Sequence, residues 1–131
     1  MKHQLFAYGT LQLPEKLKQL IGRELPFQPA QLTGFRCGLV ERANFPGIVP
    51  APGEQVQGQL LSNILQQDLL KLDDYEGELY RRQRVEVESN GAQMCWVYVI
   101  APWAHQRVSD TPWTIEWYRT HGSKGRLTYR Y

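Results

Sequence analysis

The sequence predicts a mixed α+β domain built on a small, strongly curved sheet or barrel. The chain has 131 residues, enough to bury a sizeable core, and we expect a single domain over residues 1–131. Hydrophobic residues make up 42% of the chain and aromatic residues 11%, which is typical of a packed globule. Several segments with strand-like alternation are separated by segments with helical periodicity, and this order favours helices packed on one curved sheet.

The first predicted elements are an apolar strand, a glycine turn and a helix. The segment Leu5-Phe6-Ala7-Tyr8-Gly9-Thr10-Leu11 begins as a strand because Phe and Tyr favour extended backbone. Gly9 allows the backbone to turn and to approach a ligand closely, and neighbouring amide groups at such a turn can bind an anion. For these residues alone, a plain turn is the simpler interpretation. A helix is predicted from Pro14, which suits a first helical position, to Gly22.

The middle of the chain is predicted to be mostly extended. Residues 27–40 form a strand because apolar residues alternate along one side of it. Residues 43–53 are rich in Pro and Gly and are predicted to be a loop, whose Phe, Ile and Val residues pack back on the domain. A further strand is predicted over residues 56–61.

A second helix and a hairpin follow. The helix is capped by Ser62 or Asn63, carries leucines at helical spacing, and ends at Gly77. Asn90-Gly91 is a two-residue turn of the type that joins paired strands. The returning strand over residues 94–100 is apolar on both faces, so we expect it to be central. A short helical turn is predicted from Trp113 to Tyr118.

Composition disfavours several classes of protein. The net charge of +2 is too small to indicate binding of a polyanion, and the basic residues near the end of the chain indicate a solvated tail rather than a nucleic-acid surface. We therefore expect no nucleic-acid partner. No signal segment or membrane-length apolar run is present in the sequence, so we expect no membrane partner and a cytoplasmic location. Cys37 and Cys95 are predicted to be free thiols, and the three scattered histidines argue against a zinc site.

An acidic cluster lies at the predicted end of the second helix. Four carboxylates within six residues repel one another, and they meet the unfavourable end of the helix dipole. One interpretation is that the neighbouring arginines neutralise the cluster at the surface. The other is that one glutamate is buried and carries a proton near neutral pH. The carboxylates are Asp73, Asp74, Glu76 and Glu78.

Three segments follow one another along the chain: Tyr8-Gly9-Thr10-Leu11, Phe45-Pro46-Gly47-Ile48-Val49 and Leu72-Asp73-Asp74-Tyr75-Glu76-Gly77-Glu78-Leu79-Tyr80-Arg81-Arg82. In this order they resemble the gamma-glutamylcyclotransferase-like family, and most closely its gamma-glutamylamine cyclotransferase branch. The resemblance runs from residue 5 to roughly residue 100. Beyond it, relatives often carry a Gly-Asp-Trp turn with a Tyr shortly after, whereas this chain has Ser109-Asp110-Thr111-Pro112-Trp113.

The resemblance implies a small β-barrel flanked by helices, with a cavity at one end. It also implies release of 5-oxoproline from a small gamma-glutamyl amine or related amide, without a metal or organic cofactor. The motif Tyr8-Gly9-Thr10-Leu11 would hold the glutamyl group, and Glu76 would be the catalytic glutamate. Asp74 and Tyr118 are candidates for supporting roles, and the turn before Tyr118 is the one that differs from the relatives.

The implied chemistry suits these residues. The substrate's α-amine is an ammonium at neutral pH, so a base such as Glu76 must take its proton before the amine attacks the γ-carbonyl carbon. The amides near Gly9 can bind either the α-carboxylate or the oxyanion, and both assignments stay open. An alternative is a non-catalytic domain that binds a small carboxylate in the same cavity. A homodimer is favoured if Trp103, Trp113 or Trp117 is exposed.

Overall fold

The computed structural model describes residues 2–122 and the side chains of residues 2–120, so the basic residues of the tail beyond Arg119 lie outside it. Within this part, five strands close into a barrel in the order β1-β3-β2-β4-β5, which confirms the predicted curved sheet. The strands are β1 (His3–Ala7), β2 (Phe27–Leu39), β3 (Pro46–Ile64), β4 (Tyr80–Glu88) and β5 (Ala92–Ile100). The helices are α1 (Pro14–Ile21), α2 (Gln66–Glu76) and α3 (Ile115–Trp117), with 3-10 turns at Thr10–Gln12 and Pro102–Arg107 and a π-turn at Tyr118–Gly122.

Two of the three buried clusters in the described residues follow from the alternation of side chains along the strands. One fills the barrel interior and includes Phe6, Leu60 and Val97, each almost fully buried. The other lies between the barrel and helices α1 and α2, and it includes Leu17 and Leu72. Strand β5 contributes to both cores, as its apolar character on both faces predicted.

The barrel closes where the first and last strands meet. Strand β1 pairs with β3 in antiparallel fashion and with β5 in parallel fashion, with Leu5 opposite Trp96. Because β1 leads directly into the turn at Thr10–Gln12, this closure brings the glycine motif to one end of the barrel, beside β5.

Helix α1 and the β4–β5 hairpin agree with the sequence predictions. Gly22 ends α1 with a φ of 84°, a left-handed conformation that costs glycine little. Asn90 and Gly91 also have positive φ values, as the predicted hairpin turn requires. Short-range sequence signals were sufficient for both elements.

The predicted loop over residues 43–53 is wrong, because most of it belongs to β3. Pro46 and Pro50 lie opposite Leu39 and Phe35 of β2, whereas the described pairing with β1 starts only at residue 59 of β3. A proline is tolerated where its missing N–H removes no ladder hydrogen bond, as on a strand paired along one side only. The long-range partner therefore outweighs the local loop signal.

The predicted cap of the second helix is also wrong. Ser62 and Asn63 belong to β3, and α2 begins after Leu65. The buried carboxylate of Asp68 accepts a hydrogen bond from the Leu65 N–H at 2.9 Å, and it is also paired with Arg23. The side-chain hydrogen bond at the start of α2 therefore comes from an acidic residue inside the first turn and not from a Ser or Asn before the helix.

Candidate active site

Tyr8 forms part of the barrel wall at the end reached by β1. Its ring belongs to the interior core, and its hydroxyl donates a hydrogen bond to the backbone carbonyl of Tyr98 at 2.6 Å. Burial raises the pKa of the Tyr8 phenol well above its usual value, and the nearby Cys37 and Glu76 raise it further. Tyr8 is therefore a protonated, fixed side chain at neutral pH.

Gly9 brings the backbone close to the Phe45–Val49 motif. A Cβ at this position would lie 3.1 Å from Cγ of Pro46, which is tighter than ordinary contact. Its φ of −111° is not left-handed, so the close approach rather than a special turn explains the glycine. The Gln12 N–H donates to the Gly9 carbonyl at 3.1 Å. The N–H groups of Thr10 and Leu11 come before it, and the turn contains no acceptor for these two groups.

Glu76 is the last residue of α2 and is half-buried. Gly77 follows with a φ of 76°, so the helix ends immediately after the glutamate. The negative charge of Glu76 contributes to the raised pKa of Tyr8 and also to that of Tyr98. Glu76 thus lies at the same end of the barrel as the glycine motif, near two buried phenols.

Asp73, rather than Asp74, connects α2 to the barrel. Asp74 is exposed, whereas the Asp73 carboxylate accepts hydrogen bonds from Arg82 Nε at 2.8 Å and Nη2 at 3.0 Å. The Tyr98 hydroxyl donates to the same carboxylate at 2.7 Å. Burial raises the pKa of Asp73, but these bonds and the Arg82 charge outweigh burial and hold it below its usual value. An arginine therefore does neutralise part of the acidic cluster, as one interpretation of the sequence expected.

Tyr118 lies on the C-terminal segment and is half-buried. Its ring centroid is 6.0 Å from that of Trp113, and its backbone N–H donates to the Thr114 carbonyl. Trp113 is itself buried and donates from Nε1 to the Asn44 carbonyl at 3.1 Å. Trp113 and Tyr118 thus pack together in one segment, which forms the C-terminal wall. Of the three tryptophans considered for a dimer surface, Trp103 is the exposed one.

An open cleft of about 550 Å³ lies between Tyr8 and this C-terminal wall. Arg36 holds the wall in place, because its guanidinium donates to the Ser109 and Val108 carbonyls at 3.0 Å each. Cys37, a half-buried free thiol, lies in the cleft, and burial raises its pKa to about 12. Motif reasoning missed these groups because strand pairing across long sequence separations brings them together. The cleft is lined by Tyr8, Gln12, Arg36, Cys37, Glu54, Gln55, Val56, Gln57, Asp110, Trp113, Thr114 and Ile115.

Two further properties bear on partners. Among the side chains of residues 2–120, those of His, Cys, Asp and Glu form no group of three or more that could hold a metal ion. None of the helices in the described part of the chain combines the length and apolar composition needed to cross a membrane.

Comparison with known proteins identifies a family. The model of the family described as "Gamma-glutamyl cyclotransferase, AIG2-like" matches residues 5–119. AIG2-like protein C of Arabidopsis thaliana is 30% identical over 131 residues, which cover 96% of this chain and 74% of the relative. A structure from Arabidopsis thaliana solved in solution has a TM-score of 0.79 at 24% identity and covers 95% of this chain and 77% of that one. A gamma-glutamyl cyclotransferase structure has the same fold, with a TM-score of 0.67 at 22% identity, covering 77% of this chain and 68% of that one.

Proposed function

The chain belongs to the AIG2-like gamma-glutamyl cyclotransferase family, and from that membership we propose that it releases 5-oxoproline from a small gamma-glutamyl amine or related amide without a metal. Glu76 is the general acid and base of this reaction. The observation that carries the proposal is the position of Glu76, whose charge acts on Tyr8, the first residue of the glycine motif. This proximity supports a shared site for the two motifs at one end of the barrel.

The reaction needs only proton transfer and correct positioning. Glu76 takes a proton from the substrate α-ammonium, and the freed amine attacks the γ-carbonyl carbon. A carbon–nitrogen bond closes the five-membered ring, and the bond between the γ-carbon and the departing nitrogen breaks. Over the whole reaction two protons leave the α-nitrogen and two arrive on the departing amine, so atoms and charge balance.

The glycine motif provides positioning groups for this substrate. The N–H groups of Thr10 and Leu11 open a helical turn, where backbone dipoles favour a negative charge such as a carboxylate or a developing oxyanion. Gly9 allows the backbone to lie close to Pro46, so the motif has a fixed position relative to the barrel. Tyr118, which contacts the cleft residue Trp113, is a candidate for a supporting hydroxyl.

The test is Glu76→Gln, assayed for 5-oxoproline release from a panel of gamma-glutamyl amines and amides. We expect turnover to fall by about 100-fold or more, the usual contribution of a general acid or base. Glu78→Gln is the matched control, since Glu78 is exposed and two residues away. Undiminished turnover in Glu76→Gln contradicts the mechanism, and saturable binding by the native protein without any product favours the carboxylate-binding alternative.

A further inference from the structure

Asp73 and Arg82 form a compact ion pair directly beside the end of α2. Two parallel hydrogen bonds join them, a geometry that fixes both side chains. The guanidinium also lies over the Trp96 ring, with its carbon 4.3 Å from the ring centroid. The pair therefore connects α2 to β4, and the contact of Arg82 with Trp96 extends the connection to β5.

The same pair lies close to Glu76. Asp73 and Glu76 are three residues apart on α2 and so share one helix face. The Tyr98 hydroxyl donates to Asp73, and the charge of Glu76 also acts on Tyr98. The Tyr98 carbonyl accepts the hydroxyl of Tyr8, which continues the connection to the glycine motif. Tyr98 thus contacts both Tyr8 and Asp73 through two separate hydrogen bonds, the first at its backbone carbonyl and the second at its hydroxyl.

We propose that the Asp73–Arg82 pair is a positioning device of the reaction, which holds Glu76 toward Tyr8 and keeps the local charge beside Glu76 balanced. This inference rests on the proposed role of Glu76. The charge of Arg82 alone would favour ionised Glu76, and the charge of Asp73 alone would favour protonated Glu76. When paired, the two charges largely cancel, so the glutamate can both accept and return a proton.

Two of the groups near Glu76 are uncharged at neutral pH. Burial, with the charge of Glu76 adding to it, raises the pKa of Tyr8, which follows β1, and of Tyr98 on β5, so neither phenol is charged at neutral pH. On α2 itself, the other acidic side chain of the last turn is Asp74, which is exposed and screened by water. Asp73 on α2 and Arg82 on β4 both interact with the Tyr98 phenol.

The test uses opposite single variants. Asp73→Asn leaves Arg82 uncompensated, so the acidic limb of the pH–rate profile moves to lower pH, by about half a unit or more. Arg82→Gln leaves Asp73 uncompensated, so the same limb moves to higher pH. The double variant moves it back toward the native position. A merely structural pair would lower the rate without producing shifts of opposite sign.

Two variants separate geometry from charge. Arg82→Lys keeps the charge but loses the two parallel hydrogen bonds, so we expect a lower kcat with the acidic limb unmoved. Arg81→Gln removes the same charge from the neighbouring exposed residue and should leave both the limb and kcat unchanged.

A second readout does not depend on turnover. The side-chain carboxyl of Glu76 is followed by NMR through an acid titration in the native protein, Asp73→Asn and Arg82→Gln. We expect its midpoint to move down in the first variant and up in the second. Identical midpoints in all three proteins overturn the inference, even where Glu76→Gln has already shown that Glu76 is required. If the native protein releases no product, the proposed function is refuted. Midpoint shifts of opposite sign in the two variants would still support the charge balance.

Discussion

Gly38 lies against the backbone of Ser109, and a Cβ at residue 38 would clash with the Ser109 carbonyl oxygen. The Ser109 N–H donates to the Leu39 carbonyl at 2.9 Å, and the Leu39 N–H donates to the Thr111 carbonyl at 2.9 Å. The C-terminal segment is therefore docked on β2 by backbone contacts that leave no space for a side chain. Since Asp110 and Trp113 line the cleft, this docking also sets the shape of the cleft.

The first prediction concerns Gly38→Ala. Overpacking against an immobile backbone should lower the free energy of unfolding by about 1–3 kcal/mol. Because the segment carrying Trp113 must shift, the KM for the substrate should also rise. Urea denaturation and steady-state kinetics measure the two effects. Thr33→Ala, at an exposed position of the same strand, is the control, and a Gly38→Ala protein as stable as this control would contradict the proposed docking.

The second prediction concerns Asp68, the buried carboxylate that caps α2. Asp68→Ala leaves the Leu65 N–H and Arg23 without this partner, and we expect a loss of about 2 kcal/mol in the free energy of unfolding. Asp68→Asn, which keeps an acceptor but not the charge, should lose less. Asp74→Asn on the same helix is exposed and should change stability by less than about 0.5 kcal/mol. Equal stabilities for Asp68→Ala and Asp74→Asn would show that the cap contributes nothing.

The third prediction concerns alkaline pH. Burial raises the pKa of Tyr98 above its usual value of 10.0, and Asp73 and Glu76 raise it further. Burial also raises the pKa of Tyr8. Both phenols stay protonated in the folded protein, whereas the unfolded chain loses these protons above about pH 10. The contribution of these phenols to stability is therefore complete below that pH and falls as pH rises, by about 1.4 kcal/mol per pH unit for each tyrosine.

Guanidinium denaturation at several values between about pH 8 and about pH 11 checks this dependence. Burial also raises the pKa of Cys95 to about 11 and of Cys37 to about 12, so a shallower loss should begin near the usual thiol value of 9.0. Tyr98→Phe should show a smaller slope above about pH 10 than the native protein. A free energy of unfolding that stays constant across this range would contradict the prediction that the buried phenols stay protonated in the folded protein.

Local signals in the sequence were sufficient for some elements and insufficient for others. Pro14 and Gly22 bound α1, and Asn90-Gly91 forms the hairpin turn, because each depends on the backbone preferences of a few adjacent residues. The proline-rich part of β3 was mistaken for a loop, since its pairing partner β2 decides its conformation. Asp68 was overlooked as a cap because its role depends on burial, which the sequence does not display.

The candidate site divides in the same way. The family resemblance is confirmed by the match over residues 5–119, whereas the branch of the family stays a prediction. Glu76 was identified as a candidate from its motif. The Asp73–Arg82 pair depends on how α2 is placed against β4, and the cleft depends on the docking of the C-terminal segment. Both arise from tertiary contacts between segments that carry no shared motif.

The parallel pairing of Leu5 with Trp96 has a consequence for folding during translation. A growing chain cannot complete the barrel until β5 has emerged, and the Tyr8–Tyr98 hydrogen bond spans 90 positions of sequence. Contacts of such separation form late, because a long loop must close before they are made. Nascent chains ending before residue 98 therefore lack both the Tyr8–Tyr98 hydrogen bond and a complete barrel.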